Sequence, residues 1–329
     1  MAKFYKFQSI NQYKDIVRTV NENAEFTHTE VPTAVTFTGT VKVHGCNVGI
    51  GYNPVCGTLW VQSRNHILSE KSDMFKFHTF VMKYKLYFID ILSKLSSKHP
   101  VVAYGEWFGF GIQKNVAVDR LTRRLMIFAV NVIDETVIPS KCVCLKTEAV
   151  ALFFHPPTLI FNVTNFPTYS IVVDFSHPSL AQNELVNLTN SVEKECPVGK
   201  YFGVSGIGEG IVWHSPTYGL FKVKGMAHSA SKVTTLASVD TEKLATSEAF
   251  VKYAVTDNRL NQGVEQVFTI HGEKPDVKRT REFLNWITAD IFKEETDTLR
   301  ENNLIPEEVS KMIANSARTW FTTTCKNIY

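Results

Sequence analysis

The sequence predicts an α+β protein with antiparallel sheets in its first two thirds and helices alone at its C-terminal end. Short β-branched and aromatic segments, punctuated by Gly, Asn and Pro, indicate strands within 34–64, 100–108, 125–133, 170–174, 209–214 and 219–224. Residues 70–98 instead have the spacing of one long amphipathic helix. Short strands joined by turns, with a helix inserted between them, favour antiparallel sheets over a parallel one.

The pattern changes near residue 240, where helical spacing replaces the short strands. Phe283, Ile287 and Ile291 recur at i, i+4 and i+8, which predicts a helix with one buried face. Pro306 followed by two glutamates is typical of a helix start, because proline fits the first turn and acidic residues complement the helix dipole. An all-helical C-terminal domain is therefore expected.

Two domains, 1–240 and 241–329, are predicted, and they differ in charge. Residues 240–329 carry 12 Lys and Arg against 15 Asp and Glu, whereas the residues before them carry 23 against 17. A mildly basic first domain suits a polyanionic partner.

The sequence has no feature of a secreted or membrane-bound protein. The first fifteen residues lack an apolar core and a small-residue cleavage site, and no apolar run is long enough to span a bilayer. The six cysteines form no CxxC pair, so reduced thiols are expected. We expect a soluble protein of the cytoplasm, the host's cytoplasm if the source is viral. The absence of a sustained heptad pattern favours a monomer.

A lysine at the end of a predicted strand has neighbours suited to nucleotide chemistry. Lys42 is followed by His44 and Gly45. Lysine attacks phosphorus only as the neutral amine, so burial or nearby cations must favour loss of its proton. Gly45 lets the backbone approach a nucleotide closely. An ordinary strand end with a glycine turn is the alternative interpretation.

Further basic residues occupy positions suited to binding a phosphate group. Lys222 and Lys224 alternate along one predicted strand, so both face the same side. Two like charges on one side are unfavourable unless an anion lies between them. The planar guanidinium of Arg64 holds phosphate or ribose oxygens better than lysine does, although a surface arginine at a turn is the alternative.

These residues belong to a series of short motifs that occur in a fixed order. The series is Lys42-x-His44-Gly45, Ser63-Arg64, Gly105-Glu106, Phe128-x-Val130, Glu209-Gly210-x-Val212 and Lys222-x-Lys224. The order resembles the collinear signature of covalent nucleotidyltransferases, which include polynucleotide ligases and mRNA capping enzymes. His44 and the segments GIQK and GIGEGIVW make the chain similar to the phage-type RNA ligase 2 family. The resemblance covers residues 35–235 and rests on the co-occurrence of the motifs.

The resemblance implies an ATP-grasp-like nucleotidyltransferase domain and an ATP-dependent RNA ligase. Lys42 is expected to take AMP from ATP as a lysyl-AMP, with Mg²⁺ or Mn²⁺ as the metal. AMP then passes to an RNA 5′-phosphate, and a 3′-OH displaces it to close the strand. The expected partner is RNA with 3′-OH and 5′-phosphate ends, nicked duplex RNA foremost, with cleaved tRNA and free single strands as alternatives.

The resemblance also implies roles for individual residues. The implied catalytic residues are Lys42, Lys222, Lys224 and Glu209, with Glu209 also the metal ligand. The implied nucleotide-binding residues are His44, Gly45, Asn47, Arg64, Glu106 and Phe128. Val130 is the alternative to Phe128 as the residue against adenine. Gln113, in the GIQK segment, is expected to face the substrate.

Other functions remain open at this stage. A DNA ligase or an mRNA capping nucleotidyltransferase is disfavoured because no strand pattern of an OB-fold follows residue 240, and His44 further disfavours the DNA ligase. A non-catalytic RNA-binding relative is disfavoured because the lysines and the glutamate needed for the reaction are all present.

Overall fold

The computed structural model describes residues 2–136, 141–144, 147–228 and 246–328. The strands are β1 (Asn11–Gln12), β2 (Val35–Lys42), β3 (Cys46–Asn53), β4 (Thr58–Ser63), β5 (Val101–Phe108), β6 (Arg124–Asp134), β7 (Lys141–Cys144), β8 (Ile160–Asn162), β9 (Thr168–Val173), β10 (Gly210–Ser215) and β11 (Gly219–Lys224). The helices are α1 (Tyr13–Thr27), α2 (Phe77–Lys83), α3 (Lys85–Leu95), α4 (Thr147–Ala151), α5 (Ser179–Lys194), α6 (Pro197–Tyr201), α7 (Ser247–Ala254), α8 (Asp257–Val267), α9 (Thr280–Glu301) and α10 (Pro306–Ile328). The predicted α+β class with a helical C-terminal region is confirmed.

The chain divides into two compact units, Met1–Val223 and Lys224–Tyr329. The predicted domain boundary, between residues 240 and 241, lies within 229–245 and so outside the described residues. No helix in the described ranges is long and apolar enough to cross a membrane.

One sheet has the strand order β1-β11-β10-β2-β9, and β2 pairs antiparallel with both β10 and β9. Residues along β2 and β11 alternate between a buried and a more exposed side. The rings of Phe37 and Phe221 meet on the buried side, with centroids 5.1 Å apart. Lys42 and Lys222 stand at the alternate positions of the same two strands. Because side chains alternate along a strand, both lysines lie on the face opposite this core.

The other sheet has the order β4-β3-β5-β6-β7, with β8 parallel to β6. Its central strand β5 is almost wholly buried, as expected for a strand covered on both faces. On one side, the ring of Trp107 contacts Phe77 and Phe80, with centroids 5.4 and 4.7 Å apart. Antiparallel pairing of β3 with β5 sets Asn47 opposite Glu106, which aligns two residues of the predicted site.

The second face of this sheet is covered by the N-terminal segment. The carbonyl of Tyr5 accepts hydrogen bonds from Gln62 Nε2 at 2.6 Å and from Tyr104 Oη at 2.9 Å. The ring of Phe7 packs against Tyr104 and Phe128, with centroids 5.0 and 5.1 Å away. This cover was not predicted, because the segment has no strand or helix periodicity of its own.

The single helix predicted over 70–98 is wrong, because the segment holds two helices, α2 and α3, that break at Tyr84. No α-helix begins before α2 in this segment, since Phe75 has a left-handed backbone with φ of 47°. The Phe75 carbonyl accepts hydrogen bonds from Trp107 Nε1 and Arg123 Nη1. These tertiary bonds hold a backbone shape that the apolar spacing does not reveal.

The second unit packs α7 to α10 around one apolar core. Phe283, Ile287 and Ile291 are fully buried, so the predicted face of α9 is confirmed. The ring of Phe283 stacks on Phe321 of α10, with centroids 4.3 Å apart. Helix α10 begins at Pro306, as the sequence predicted.

A buried ion network joins α8 to α9. Arg259 has no exposed side-chain surface, and it lies 3.0 Å from Asp290, 3.2 Å from Glu294 and 3.5 Å from Glu295. Its Nη1 also donates to the Ala254 carbonyl at 2.7 Å. Several acceptors are needed because a buried charge is tolerated only when it is paired and hydrogen-bonded.

Candidate active site

The central contact of the site joins Lys42 to Glu209. The register of β2 and β10 sets Lys42 opposite Gly210, so the residue before Gly210 reaches the end of β2. Lys42 Nζ donates to Glu209 Oε2 at 2.6 Å, with side-chain exposures of 20% and 2%. Gly210 has φ of 150°, a backbone conformation that glycine adopts most readily. This turn lets the chain enter β10 directly after the buried carboxylate.

His44 faces the same carboxylate. Its Nδ1 lies 3.4 Å from Glu209 Oε2, and its side chain is only 18% exposed. Glu209 is thus a buried acid with a lysine and a histidine side chain on one oxygen.

Two hydrogen bonds at Gly45 hold the loop after Lys42, and one of them involves Glu106 of the second sheet. The Gly45 amide donates to Glu106 Oε1 at 3.1 Å, and the Gly45 carbonyl accepts from Gln113 Nε2 at 3.1 Å. A Cβ at this position would lie 2.5 Å from the carbonyl oxygen of Trp107, so the close approach requires glycine. Gln113 is buried and holds this loop, a role that its sequence context did not indicate.

Glu106 has a strongly perturbed carboxyl group. Burial raises its pKa to about 7, and the charge of Glu209 adds to this rise. Lys42 and Arg64 oppose the rise, as does the hydrogen bond from Gly45. A carboxyl whose pKa is raised toward neutral pH, close to a lysine and a second carboxylate, is typical of functional sites.

The predicted residues are therefore brought together to different degrees. Direct contacts join Lys42, His44 and Glu209 in one group, and Gly45 and Glu106 in a second. Asn47 lies opposite Glu106 in the strand register, and the exposed Arg64 is close enough to lower the pKa of Glu106. The two groups also interact electrostatically, because the charges of Lys42 and Glu209 both shift the pKa of Glu106.

Phe128 lies apart from these direct contacts. It stands where the pairing of β5 with β6 shifts register, so that Tyr104 faces Ala129 and the next pair skips Phe128. Such bulges re-aim a side chain. Its half-buried ring packs against Phe7, whereas Val130 is fully buried. The more accessible ring favours Phe128 over Val130 as the residue available to a base.

Lys222 and Lys224 lie on β11, which neighbours β10 in the first sheet. Both side chains are half-buried, whereas Phe221 and Val223, at the alternate positions of the strand, are buried. The alternation predicted from the sequence is thus present along the strand. Lys222 is also opposite Gln12 in the parallel pairing with β1.

The described residues contain no group of three or more His, Cys, Asp or Glu side chains that could form a metal cage. The site instead offers two carboxylates, Glu106 and Glu209. Magnesium sites commonly use one or two carboxylates and complete the shell with substrate phosphates and water. The donor set therefore fits a hard divalent cation bound together with a nucleotide.

Lys42 and the buried Glu209 meet where β2 of the first sheet ends, and the collinear motifs around them resemble those of nucleotidyltransferases. The family model described as RNA ligase matches residues 35–234. The chain belongs to the RNA ligase family, and the resemblance found in the sequence is confirmed at this level. Its place in the phage-type subgroup stays a prediction.

Solved structures of the Naegleria gruberi RNA ligase are similar to the chain at low identity. A lysine-to-alanine variant with ATP and manganese has 16% identity and a TM-score of 0.46, over 69% of this chain and 58% of that chain. The form with pyrophosphate has 14% and 0.45, and a glutamate-to-alanine variant with AMP and manganese has 17% and 0.47, at the same coverage. The match thus spans 58% of that relative's length. Comparison with curated proteins gives no match.

Proposed function

We propose that the protein is an ATP-dependent RNA ligase that seals 3′-OH and 5′-phosphate RNA ends through a lysyl-AMP on Lys42. The observation that carries the proposal is the 2.6 Å contact between Lys42 Nζ and the buried Glu209 carboxylate. In a chain of the RNA ligase family, this contact brings the first motif, which contains Lys42, next to the fifth motif, which contains Glu209.

The first reaction forms a bond between Lys42 Nζ and the α-phosphorus of ATP and breaks the bond to pyrophosphate. An ammonium has no lone pair to give, so Lys42 must lose a proton before it attacks. Glu209 Oε2 already accepts a hydrogen bond from this amine and is within reach of the proton. Lys222 and Lys224 neutralise charge on the α-phosphate.

Two further displacements at phosphorus complete sealing. An oxygen of the RNA 5′-phosphate attacks the AMP phosphorus, and the Lys42 nitrogen takes up a proton and leaves as the amine. The 3′-OH then loses its proton and attacks the 5′-phosphorus, and AMP leaves. Because covalent changes are confined to phosphorus, positioning and charge stabilisation supply most of the acceleration.

The nucleotide is held by residues around the Gly45 loop. Glu106 contacts the ribose hydroxyls, and its hydrogen bond to the Gly45 amide fixes its position. Arg64 and Asn47 bind phosphate or ribose oxygens, and His44 binds beside Glu209. Phe128 packs against the adenine.

Glu209 would hold the metal, Mg²⁺ or Mn²⁺ in its place. When bound, the metal would neutralise charge on the transferring and leaving phosphates.

The proposed partner is nicked duplex RNA bound by a monomer in the cytoplasm. The functional division follows the predicted boundary, with adenylyl transfer in 1–240 and contacts to RNA from 241–329. The mildly basic charge of the first part supports a nucleic-acid partner.

A sealing assay on nicked duplex RNA with a labelled 5′-phosphate tests the proposal. Wild-type protein with ATP and Mg²⁺ is expected to yield the joined strand, and Lys42→Ala is expected to yield none. The same variant is expected to seal a nick that already carries AMP on its 5′-phosphate, because that step forms no bond to Lys42. The matched control is Lys94→Ala, which removes an exposed lysine paired with Asp90 and is expected to keep wild-type activity. Sealing by Lys42→Ala with ATP at the wild-type rate would contradict the proposal.

A further inference from the structure

A groove between α9 and α10 in the second unit has an unusual lining. It has a volume of about 770 Å³, within the range of ligand-sized cavities. Its lining residues are Thr280, Arg281, Leu284, Asn285, Thr288, Ala289, Ser310, Ala314 and Arg318. They supply two guanidinium groups, hydroxyls and an amide, and none of the described lining residues is acidic.

The two arginines have no charge partner in the described part of the chain. Neither Arg281 nor Arg318 has an acidic residue three or four positions away along its helix. Both side chains are exposed, and neither forms an ion pair with a described residue. By contrast, the nearby Arg279 pairs with Glu273 and Glu282.

Helix stability does not explain Arg281. Arg281 lies in the first turn of α9, where a cation opposes the helix dipole. The surrounding residues 240–329 are also acidic overall, with 15 Asp and Glu against 12 Lys and Arg. Acidic side chains are abundant in this region, yet the described groove lining has none. Its chemistry is that of a surface that accepts an anion.

We propose that the α9–α10 groove binds backbone phosphates of the RNA substrate, apart from the site at Lys42. Arginine holds phosphate oxygens through paired N–H groups, and the hydroxyls of Thr288 and Ser310 add neutral donors. Leu284 and Ala314 add apolar surface to the lining. Contacts to backbone phosphates position RNA without reading its sequence. This inference rests on the proposed RNA ligase function.

Salt dependence of RNA binding tests the groove directly. The full chain is titrated against a fluorescent nicked RNA duplex by anisotropy across a range of KCl concentrations. Each lost phosphate contact is expected to lower the slope of log affinity against log salt by about 1, so Arg281→Gln with Arg318→Gln lowers it by about 2. The pair Arg281→Lys with Arg318→Lys keeps both charges and is expected to retain most of the slope.

A matched control removes two exposed lysines of the same unit that do not line the groove. Lys252→Gln with Lys293→Gln is expected to change the slope by less than about 0.5. Equal slopes for the groove double variant and this control, or for the groove double variant and the wild type, would overturn the proposal. Labelling by ATP is measured alongside and is expected to be unchanged in the groove variant. Failure of the wild type to label would count against the ligase proposal. The salt slopes test phosphate binding by the groove independently of that labelling.

Discussion

Lys42 Nζ and Glu209 Oε2 lie 2.6 Å apart, although 167 residues separate them in the chain. The contact depends on the register that sets Lys42 opposite Gly210. Glu209 is buried and His44 shares its oxygen, so this carboxylate depends on partners for its charge. The same contact that positions Lys42 in the site is therefore expected to contribute to folding.

Removing one partner of this pair is expected to destabilise the fold more than removing both. Lys42→Ala leaves a buried carboxylate without its ammonium, and the free energy of unfolding is expected to fall by about 1–3 kcal/mol. Lys42→Ala combined with Glu209→Gln removes the unpaired charge and is expected to regain part of that loss. Urea denaturation of the four proteins in a double-mutant cycle measures the coupling. Strictly additive effects would show that the pair does not contribute to stability.

The raised pKa of Glu106 makes stability depend on pH. Between the ordinary value of 4.5 and about 7, the folded protein keeps the proton while the unfolded chain has lost it. Folding takes up a proton there, so stability falls as the pH rises through this window and is lowest above it. Relative to Glu106→Gln, the wild type is expected to lose about 2 kcal/mol between about pH 5 and pH 8. Urea denaturation at several pH values measures this difference, and a pH-independent difference would refute the assigned shift.

A methyl group at Gly45 is expected to move the loop that follows Lys42. Its Cβ would lie 2.5 Å from the Trp107 carbonyl, which forces the loop away from β5 and weakens the bond to Glu106. Gly45→Ala is expected to destabilise the protein by about 1–3 kcal/mol and to slow adenylylation on the order of 100-fold. Gly57→Ala serves as the control, because that glycine has open space around it and strains only its own backbone. Equal adenylylation rates in the two variants would contradict this account.

Comparing variants of Phe7 and Phe128 distinguishes a base-stacking role of Phe128 from a role in core packing. Phe128→Leu and Phe7→Leu each remove one ring of a contact with centroids 5.1 Å apart. Stacking on a base contributes about 1–3 kcal/mol, so Phe128→Leu is expected to weaken ATP binding on the order of tenfold. Phe7→Leu is expected to leave ATP binding within about twofold. Equal affinities in both variants, measured by nucleotide titration, would assign Phe128 to the core alone.

Local sequence patterns were sufficient for most of the described strands, because alternation and turn residues act over a few positions, but the short strands β1, β7 and β8 were not predicted. The predicted segment 219–224 coincides with β11, and the buried face of α9 follows its apolar spacing. The break within 70–98 was missed because distant side chains hold the Phe75 carbonyl. The N-terminal cover over Tyr104 was missed for a similar reason, since its hydrogen bonds are long-range.

The candidate site was predictable as a set of residues but not as an arrangement. Motif order identified Lys42 and Glu209, yet only the pairing of β2 with β10 brings them into contact. The role of Gln113 behind Gly45 also required the fold, since the two are 68 positions apart. The pKa of Glu106 depends on burial, which spacing alone does not give.

Covalent labelling by nucleotide tests the central claim most directly. The protein is incubated with α-labelled ATP or α-labelled GTP and Mg²⁺, denatured, and examined for bound label beside Lys42→Ala. The account predicts label from ATP only, at Lys42 by peptide mapping, and none in the variant. Label from GTP alone would indicate a capping enzyme. No label from folded wild-type protein free of pre-bound AMP would contradict the account and favour a non-catalytic RNA-binding role.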